Sequence, residues 1–343
     1  MMKDKKYFDE NIYGSIMINN VSQDKIAIRD YHYRVRVGKY IESLISYKQS
    51  FMKQYLPDVR ELEDDFGLLD PLNEQDDSPL KNVIHRYNNR IAIYLTNSCA
   101  AFCRFCLRKR KIGLKDYIIS KDLLFSVLEY LQMNKGIREV LLTGGDPLTL
   151  EDQFLDEIIS GIKNLPHIKV LRICSRMPVQ NPNRITSELC SIIEKAKPVY
   201  FMLHINHPEE ITSESQEAIK KIQQAGILIL SQSVLLKGIN DNVETLESLF
   251  NKLIEIGIKP YHLYQANRVL GASHFIVPID ESIKLVNRLW GNLSGIAMPL
   301  FVYNSENGKG KIPLAPSAIY LSEDDKEIKF LSYNGEIAKY PKK

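Results

Sequence analysis

The chain has 343 residues, 44% of them hydrophobic, and its 45 basic and 42 acidic side chains nearly cancel. That is enough chain for one large core with a small appendage, and it sets up no global field for nucleic acid or an anionic membrane. No apolar run is long enough to span a bilayer and the polar start MMKDKKYFDENIYG is unlike a signal peptide, so a cytoplasmic protein acting on small molecules is expected, with no nucleic-acid or membrane partner.

Residues 1–85 are charged and tyrosine-rich, and they read as a helical extension ending in the acidic, loop-like ELEDDFGLLDPLNEQDDSPL. From 86 to 295, β-rich runs alternate with stretches of helical period. The expected strands are Ile91 to Thr96, Glu139 to Thr143, Val170 to Cys174, Val199 to Ile205, Ile227 to Gln232 and Pro260 to Gln265. Between them Leu124, Val127, Leu128 and Leu131 share one helical face, as do Leu155, Ile158, Ile159 and Ile162, and Ser120 is placed to cap the first of these helices. Six such units predict an α/β fold, a partial (β/α)6 barrel resembling about three quarters of a TIM barrel. A helix around Ile283 to Leu293 follows. The segment 296–343 opens with a strand, Met298 to Tyr303, and then a Gly/Lys loop.

Three of the five cysteines, Cys99, Cys103 and Cys106, fall within eight residues as CxxxCxxC, just past the first expected strand. So sparse and odd a set is unlike a disulfide framework. Three thiolates on one loop leave one iron of a 4Fe-4S cluster open, which is the arrangement radical S-adenosylmethionine (SAM) enzymes share. A zinc site would want a fourth Cys or His, and none lies between Cys106 and His167. At the next strand end, Gly144, Gly145 and Asp146 form a turn whose backbone can approach a ligand such as the SAM amino group. Strand-end logic adds Ser175, Arg176, His204, Asn206, Gln232, Tyr264 and Asn267, because barrel sites are built at that rim.

Together these stretches resemble the lysine 2,3-aminomutase family of radical SAM, pyridoxal phosphate (PLP)-dependent enzymes. The resemblance runs from about Asp70 to about Pro316. It is carried by DPL at 70–72, HRYNNR at 85–90, CAAFCRFCLRKR at 99–110, TGGDPL at 143–148, SRMPV at 175–179, NHPEEIT at 206–212, SQSVLLKGIND at 231–241, YQANRVLGASHF at 264–275 and GKGKIPLAP at 308–316.

The resemblance implies an isomerase that converts a free L-α-amino acid to its β-amino isomer. Its cofactors would be a 4Fe-4S cluster, SAM and PLP, and a flavodoxin- or ferredoxin-type protein would supply the electron. Lys311 would form the imine with PLP, with Lys309 as its rival, and a lysine in a glycine-rich loop has the accessible amine such a role needs. Arg86, Tyr87 and Arg90 would hold the phosphate, with Gln232 and Tyr264 completing that pocket; Arg108 would clamp the substrate carboxylate. Arg110, Lys109 and Lys111 are expected to form a solvated basic edge.

By the same resemblance, lysine-specific members hold the substrate ammonium with two aspartates, and Asn267 and Asn304 stand at those positions. The expected substrate side chain is therefore not a simple ammonium, with glutamate, arginine or a neutral amino acid as candidates, and Arg268 and Lys309 as candidate cations for an acidic one. The chain stops at Lys343 without the cysteine-bearing tail that supplies zinc and dimer contacts in some relatives, so zinc is not expected and a homo-oligomer is left open. The competing readings are a true lysine enzyme, a radical SAM enzyme that modifies RNA or protein through RKRK at 108–111, and a non-enzymatic Fe-S protein.

Overall fold

The computed structural model describes residues 34–113, 119–315, 319–323, 327–332 and 336–341. The part of the N-terminal extension at 1–33 lies outside them. Helices α1 (Lys39–Ile45) and α2 (Gln49–Tyr55) bury Ile41, Leu44, Phe51 and Tyr55 against Ala101 of the cysteine loop.

The central sheet has nine strands in strict chain order. β1 (Val83–Tyr87) lies antiparallel to β2 (Arg90–Thr96). Parallel strands follow: β3 (Glu139–Gly144), β4 (Val170–Ser175), β5 (Val199–His204), β6 (Leu228–Leu235), β7 (Lys259–Gln265) and β8 (Leu300–Asn304). β9 (Lys311–Ala315) turns back antiparallel along β8. The six strands expected from the sequence are β2 to β7. The sheet is wider than six because β8 extends it in parallel and two antiparallel strands cover its edges.

Crossovers run through α3 (Lys121–Met133), α4 (Asp152–Lys163), the short α5 (Met177–Gln180) with α6 (Ser187–Glu194), α7 (Ser213–Gln224), α8 (Val243–Glu255) and α9 (Ile279–Asn287). The last begins four residues before the expected Ile283, because Asp280 and Glu281 favour the first turn of a helix and Pro278 ends the preceding loop. Ser120, Thr186, Thr212 and Asn242 each accept a backbone N–H as helix N-caps, worth about 1 kcal/mol apiece.

The apolar stripes of these helices, such as Leu246, Leu249, Phe250 and Leu253 of α8, are fully buried in one continuous core. Truncating one of these leucines to alanine should cost about 2–5 kcal/mol. Because each crossover returns to a parallel strand, the C-terminal ends of β2 to β8 collect on one rim.

The sheet's two edges meet without a strand ladder. The Lys311 backbone N–H at the start of β9 donates to the Tyr87 hydroxyl of β1 at 3.0 Å. Gly310, at φ +92°, makes this approach possible, since a Cβ there would stand 3.0 Å from the same hydroxyl. The boundary read at residue 85 from composition falls inside β1, and the one at 295 separates strands of a single sheet. A second sheet, β10 (Ile319–Glu323), β11 (Glu327–Leu331) and β12 (Ile337–Pro341), is antiparallel.

Candidate active site

One cavity of about 380 Å³ opens at the C-terminal rim. Cys99, Cys103 and Cys106 line it, and so do Lys311, Arg86, Tyr87, Arg90, Arg108, Gly144, Gly145, Asp146, Ser175, Arg176, His204, Gln232, Tyr264, Asn267 and Asn304. Asn206 is fully buried beside it and does not line it.

The cysteine loop leaves β2 and is gripped from two sides. On the barrel side, Gly145 N–H donates to Thr96 O at 2.6 Å and Asp146 N–H to Ser98 O at 2.7 Å. A Cβ at Gly145 would lie 2.2 Å from Ser98 O, and one at Gly144, whose φ is +129°, 2.4 Å from Thr96 O. These glycines are therefore required by the chain's own backbone, where the sequence suggested a ligand. The Asp146 carboxylate accepts from Ser175 Oγ at 2.9 Å and from the Arg176 N–H at 2.8 Å, so Asp146 and Ser175 tie two strand ends together.

On the other side the N-terminal extension holds the loop. Phe102 N–H donates to Arg36 O and Arg104 N–H to Gln54 O, both at 2.8 Å. The buried Arg104 guanidinium engages both oxygens of Glu61, and Lys109 Nζ joins the same carboxylate at 3.0 Å while donating to Gly271 O at 2.7 Å. Burial alone would raise the Glu61 carboxyl, but Arg104 and Lys109 outweigh it and hold it down to about 2. Burial, reinforced by Arg104, pushes the Lys109 amine down to about 7.

The expected solvated basic edge is thus overturned, and with it the RKRK handle. Lys109 is buried, Arg110 pairs with Asp70 at 2.6 Å, and Lys111 reaches Glu74 at 3.5 Å.

Arg176 is nearly fully buried. It donates to Cys103 Sγ at 2.8 Å, to Gln54 Oε1 and to Glu210 Oε2, both at 2.6 Å. Its Nε and the His204 Nε2 are buried with no partner. Burial, with Arg176 nearby, pushes the His204 imidazole down to about 3, so it is neutral. Burial also pushes the Cys99 and Cys103 thiols up and Cys106 to about 11, which means thiolates here need a cationic group beside them. Among the described residues no three His, Cys, Asp or Glu side chains are set to hold a single metal ion. Three cysteines on one loop fit an iron–sulfur cluster, which spreads its thiolate ligands over separate irons, better than one ion.

Across the cavity, Lys311 Nζ stands 5.9 Å from the centre of the Tyr264 ring. Enclosure by protein, then Arg90 and Arg172, push its amine down to about 8, although the side chain still meets the cavity solvent. The Arg90 guanidinium lies 3.7 Å over the Tyr87 ring, and Arg86 is anchored by Asp77 and Leu72 O at 2.6 Å each. Gln232 Nε2 donates to the Tyr264 hydroxyl at 3.1 Å. Two guanidinium groups beside a depressed lysine and an aromatic face fit the phosphate and aldehyde ends of PLP. Lys309 does not line the cavity.

Between the two halves, Arg108 rests 4.3 Å over the Tyr94 ring, bonds its hydroxyl, and pairs with Glu74 at 3.2 Å. Asn267 Nδ2 donates to Asn304 O at 2.7 Å. Arg268 does not serve as a free cation, since Glu306 takes it bidentately at 2.7 Å. Sequence reasoning missed Glu61, Glu74, Gln54 and Glu210, and also Cys174, a free cysteine in the cavity wall. No local spacing marks any of them.

A cysteine triad past the end of β2, the first parallel strand of a partial barrel, pinned by a glycine pair at the end of β3, defines a radical SAM enzyme, and residues 93–250 match the Radical SAM superfamily. L-lysine 2,3-aminomutase of Fusobacterium nucleatum is 36% identical over 311 residues, 90% of this chain and 73% of the relative. Glutamate 2,3-aminomutase of Clostridioides difficile is 39% identical over 83% of this chain and 67% of the relative. L-lysine 2,3-aminomutase of Methanococcus maripaludis is 38% identical over 89% and 71%. The chain belongs to the lysine/glutamate 2,3-aminomutase family of radical SAM proteins, and that family implies a 4Fe-4S cluster and SAM. Among the described residues no helix is long and apolar enough to cross a membrane.

Proposed function

We propose that the protein is a PLP-dependent 2,3-aminomutase, an intramolecular aminotransferase that moves the amino group of a free L-α-amino acid to the adjacent carbon. The observation that carries this reading is that Lys311 and the three cysteines line one cavity of about 380 Å³. When bound, PLP supplies the electron sink for the migrating amino group, and SAM with the cluster supplies the radical that starts it.

The residues then divide the work. Cys99, Cys103 and Cys106 ligate iron, while the Gly144 to Asp146 turn and the neutral His204, with its unpartnered Nε2, face the SAM side. Lys311 tethers the aldehyde, and its depressed amine is ready to react near neutral pH. Arg86, Tyr87 and Arg90 receive the phosphate, and Tyr264, fixed by Gln232, supports the ring. Arg108, oriented by Tyr94 and Glu74, takes the substrate carboxylate. Phe102, Phe105, Met202, Val234 and Phe275 wall the cavity and exclude water from the radical's path.

The substrate side chain carries no positive charge in this reading. Glu74 and Asp146 are the acidic residues lining the cavity among those described, and both are already engaged, by Arg108 and by Ser175 with the Arg176 N–H. A side-chain ammonium near Asn267 and Asn304 would lack a counter-charge. The electron comes from a flavodoxin- or ferredoxin-type donor.

Anaerobic incubation with SAM, PLP, reductant and separate lysine, arginine, glutamate and neutral amino acids, with mass analysis of β-amino isomers, tests this. An isomer is expected from a neutral or acidic substrate. No isomer from any amino acid refutes the aminomutase reading, and turnover of lysine or arginine above all others refutes the pocket assignment.

A further inference from the structure

The three cysteine sulfurs are not treated alike by the protein. Cys103 Sγ receives the Arg176 guanidinium at 2.8 Å and Gln180 Nε2 at 3.5 Å, whereas among the described residues Cys106 sulfur accepts the neutral Arg108 backbone N–H and no side-chain hydrogen bond to it or to Cys99 sulfur is found. The arginine that makes this contact is held through both terminal nitrogens. Its other terminal nitrogen bonds Gln54 Oε1 and Glu210 Oε2, and its plane sits 5.3 Å from both the Tyr55 and Phe105 ring centres.

Both anchors are themselves fixed. Glu210 Oε1 accepts the Asn206 and His207 backbone N–H groups at 2.9 and 3.0 Å, and Gln54 bonds both Glu210 and Asn206. Gln54 belongs to α2, so the N-terminal extension takes part in aiming a cation at one corner of the cluster site.

We propose that Arg176, locked by Gln54 and Glu210, is a positioning residue for electron entry: its hydrogen bond to the Cys103 sulfur raises the potential at which the bound cluster accepts its electron. The proposal rests on the reading that the three cysteines hold an iron–sulfur cluster. Reduction transfers one electron from an external low-potential carrier, which is oxidised by one electron; no covalent bond forms or breaks. The added negative charge spreads over iron and sulfur, and an N–H···S bond strengthens as the sulfur becomes more negative. The reduced form therefore gains more from Arg176 than the oxidised form does.

The test is a reductive titration of the full chain, reconstituted anaerobically with iron and sulfide and kept free of SAM, with the reduced cluster followed by electron paramagnetic resonance. Arg176→Gln is expected to move the midpoint to more negative values at unchanged iron content. Because that change strands Glu210 in the interior, Gln54→Met is the companion variant. It keeps the cation and loosens its hold, and a smaller shift of the same sign is expected. If Arg176→Gln fails to assemble a cluster, Gln54→Met alone decides. Midpoints equal to wild type, or shifted upward, overturn the proposal. A wild-type protein that binds no cluster overturns the cluster reading instead, so the two failures are distinct.

Discussion

Replacing Glu61 by glutamine should destabilise the fold more than its distance from the reacting atoms suggests. The carboxylate is nearly inaccessible and serves two buried cations, Arg104 and Lys109, at once. Its carboxyl is held from the ordinary 4.5 down to about 2. At about 1.4 kcal/mol per unit, that difference corresponds to roughly 3 kcal/mol of stability, at the lower end of the range for stripping one partner from a buried ion pair.

The sign follows from a depressed carboxylate. Its contribution is complete above the unfolded value of 4.5 and is lost as pH falls through about 2, so the full loss is read at neutral pH. Lys109 moderates it, because in the variant an amine pushed down to about 7 can shed its proton in mild alkali, which leaves one buried cation fewer facing the lost carboxylate. Urea unfolding of wild type and Glu61→Gln should therefore differ by about 3 kcal/mol near pH 6 and by less near pH 9. A loss below about 1 kcal/mol at neutral pH, or one that grows in alkali, would refute the reasoning.

Gly145→Ala should cut iron incorporation sharply, since its Cβ would stand 2.2 Å from Ser98 O and displace the cysteine loop; full iron loading would contradict that. Tyr87→Phe removes the acceptor of the Lys311 N–H and should cost about 1 kcal/mol, with faster hydrogen exchange at that amide as the measured sign. PLP capture should accelerate with pH and level off with a midpoint of about 8, because the unprotonated Lys311 amine predominates above it. That capture should vanish in Lys311→Ala and survive in Lys309→Ala; a midpoint at about 10 would mean the amine is not enclosed as described.

What the sequence showed well was local. The spacing of Cys99, Cys103 and Cys106 and the alternation of strand and helix are written within short windows, and strand ends on one rim follow from the handedness of the crossovers. What it concealed was pairing at a distance. Lys109 and Arg110 looked like surface charge because their partners lie far upstream, Glu61 and Asp70, inside a stretch that reads as an acidic loop. Gly144 and Gly145 were legible as a turn that lets backbone approach a ligand, but the atoms that require them to be glycine belong to residues 96–98 and could be found only by folding the chain. The same holds for Gln54 and Glu210, ordinary polar residues until Arg176 is placed between them.

The meeting of Tyr87 and Lys311 joins groups 224 residues apart in the chain. Closing so long a loop is what brings Lys311 beside Arg86 of β1 and Arg90 of β2, and closure over that separation is entropically costly and slow. On the proposed reading, a chain in which β9 has not yet closed on β1 would hold no lysine beside Arg86 and Arg90, so PLP capture would report on completed folding.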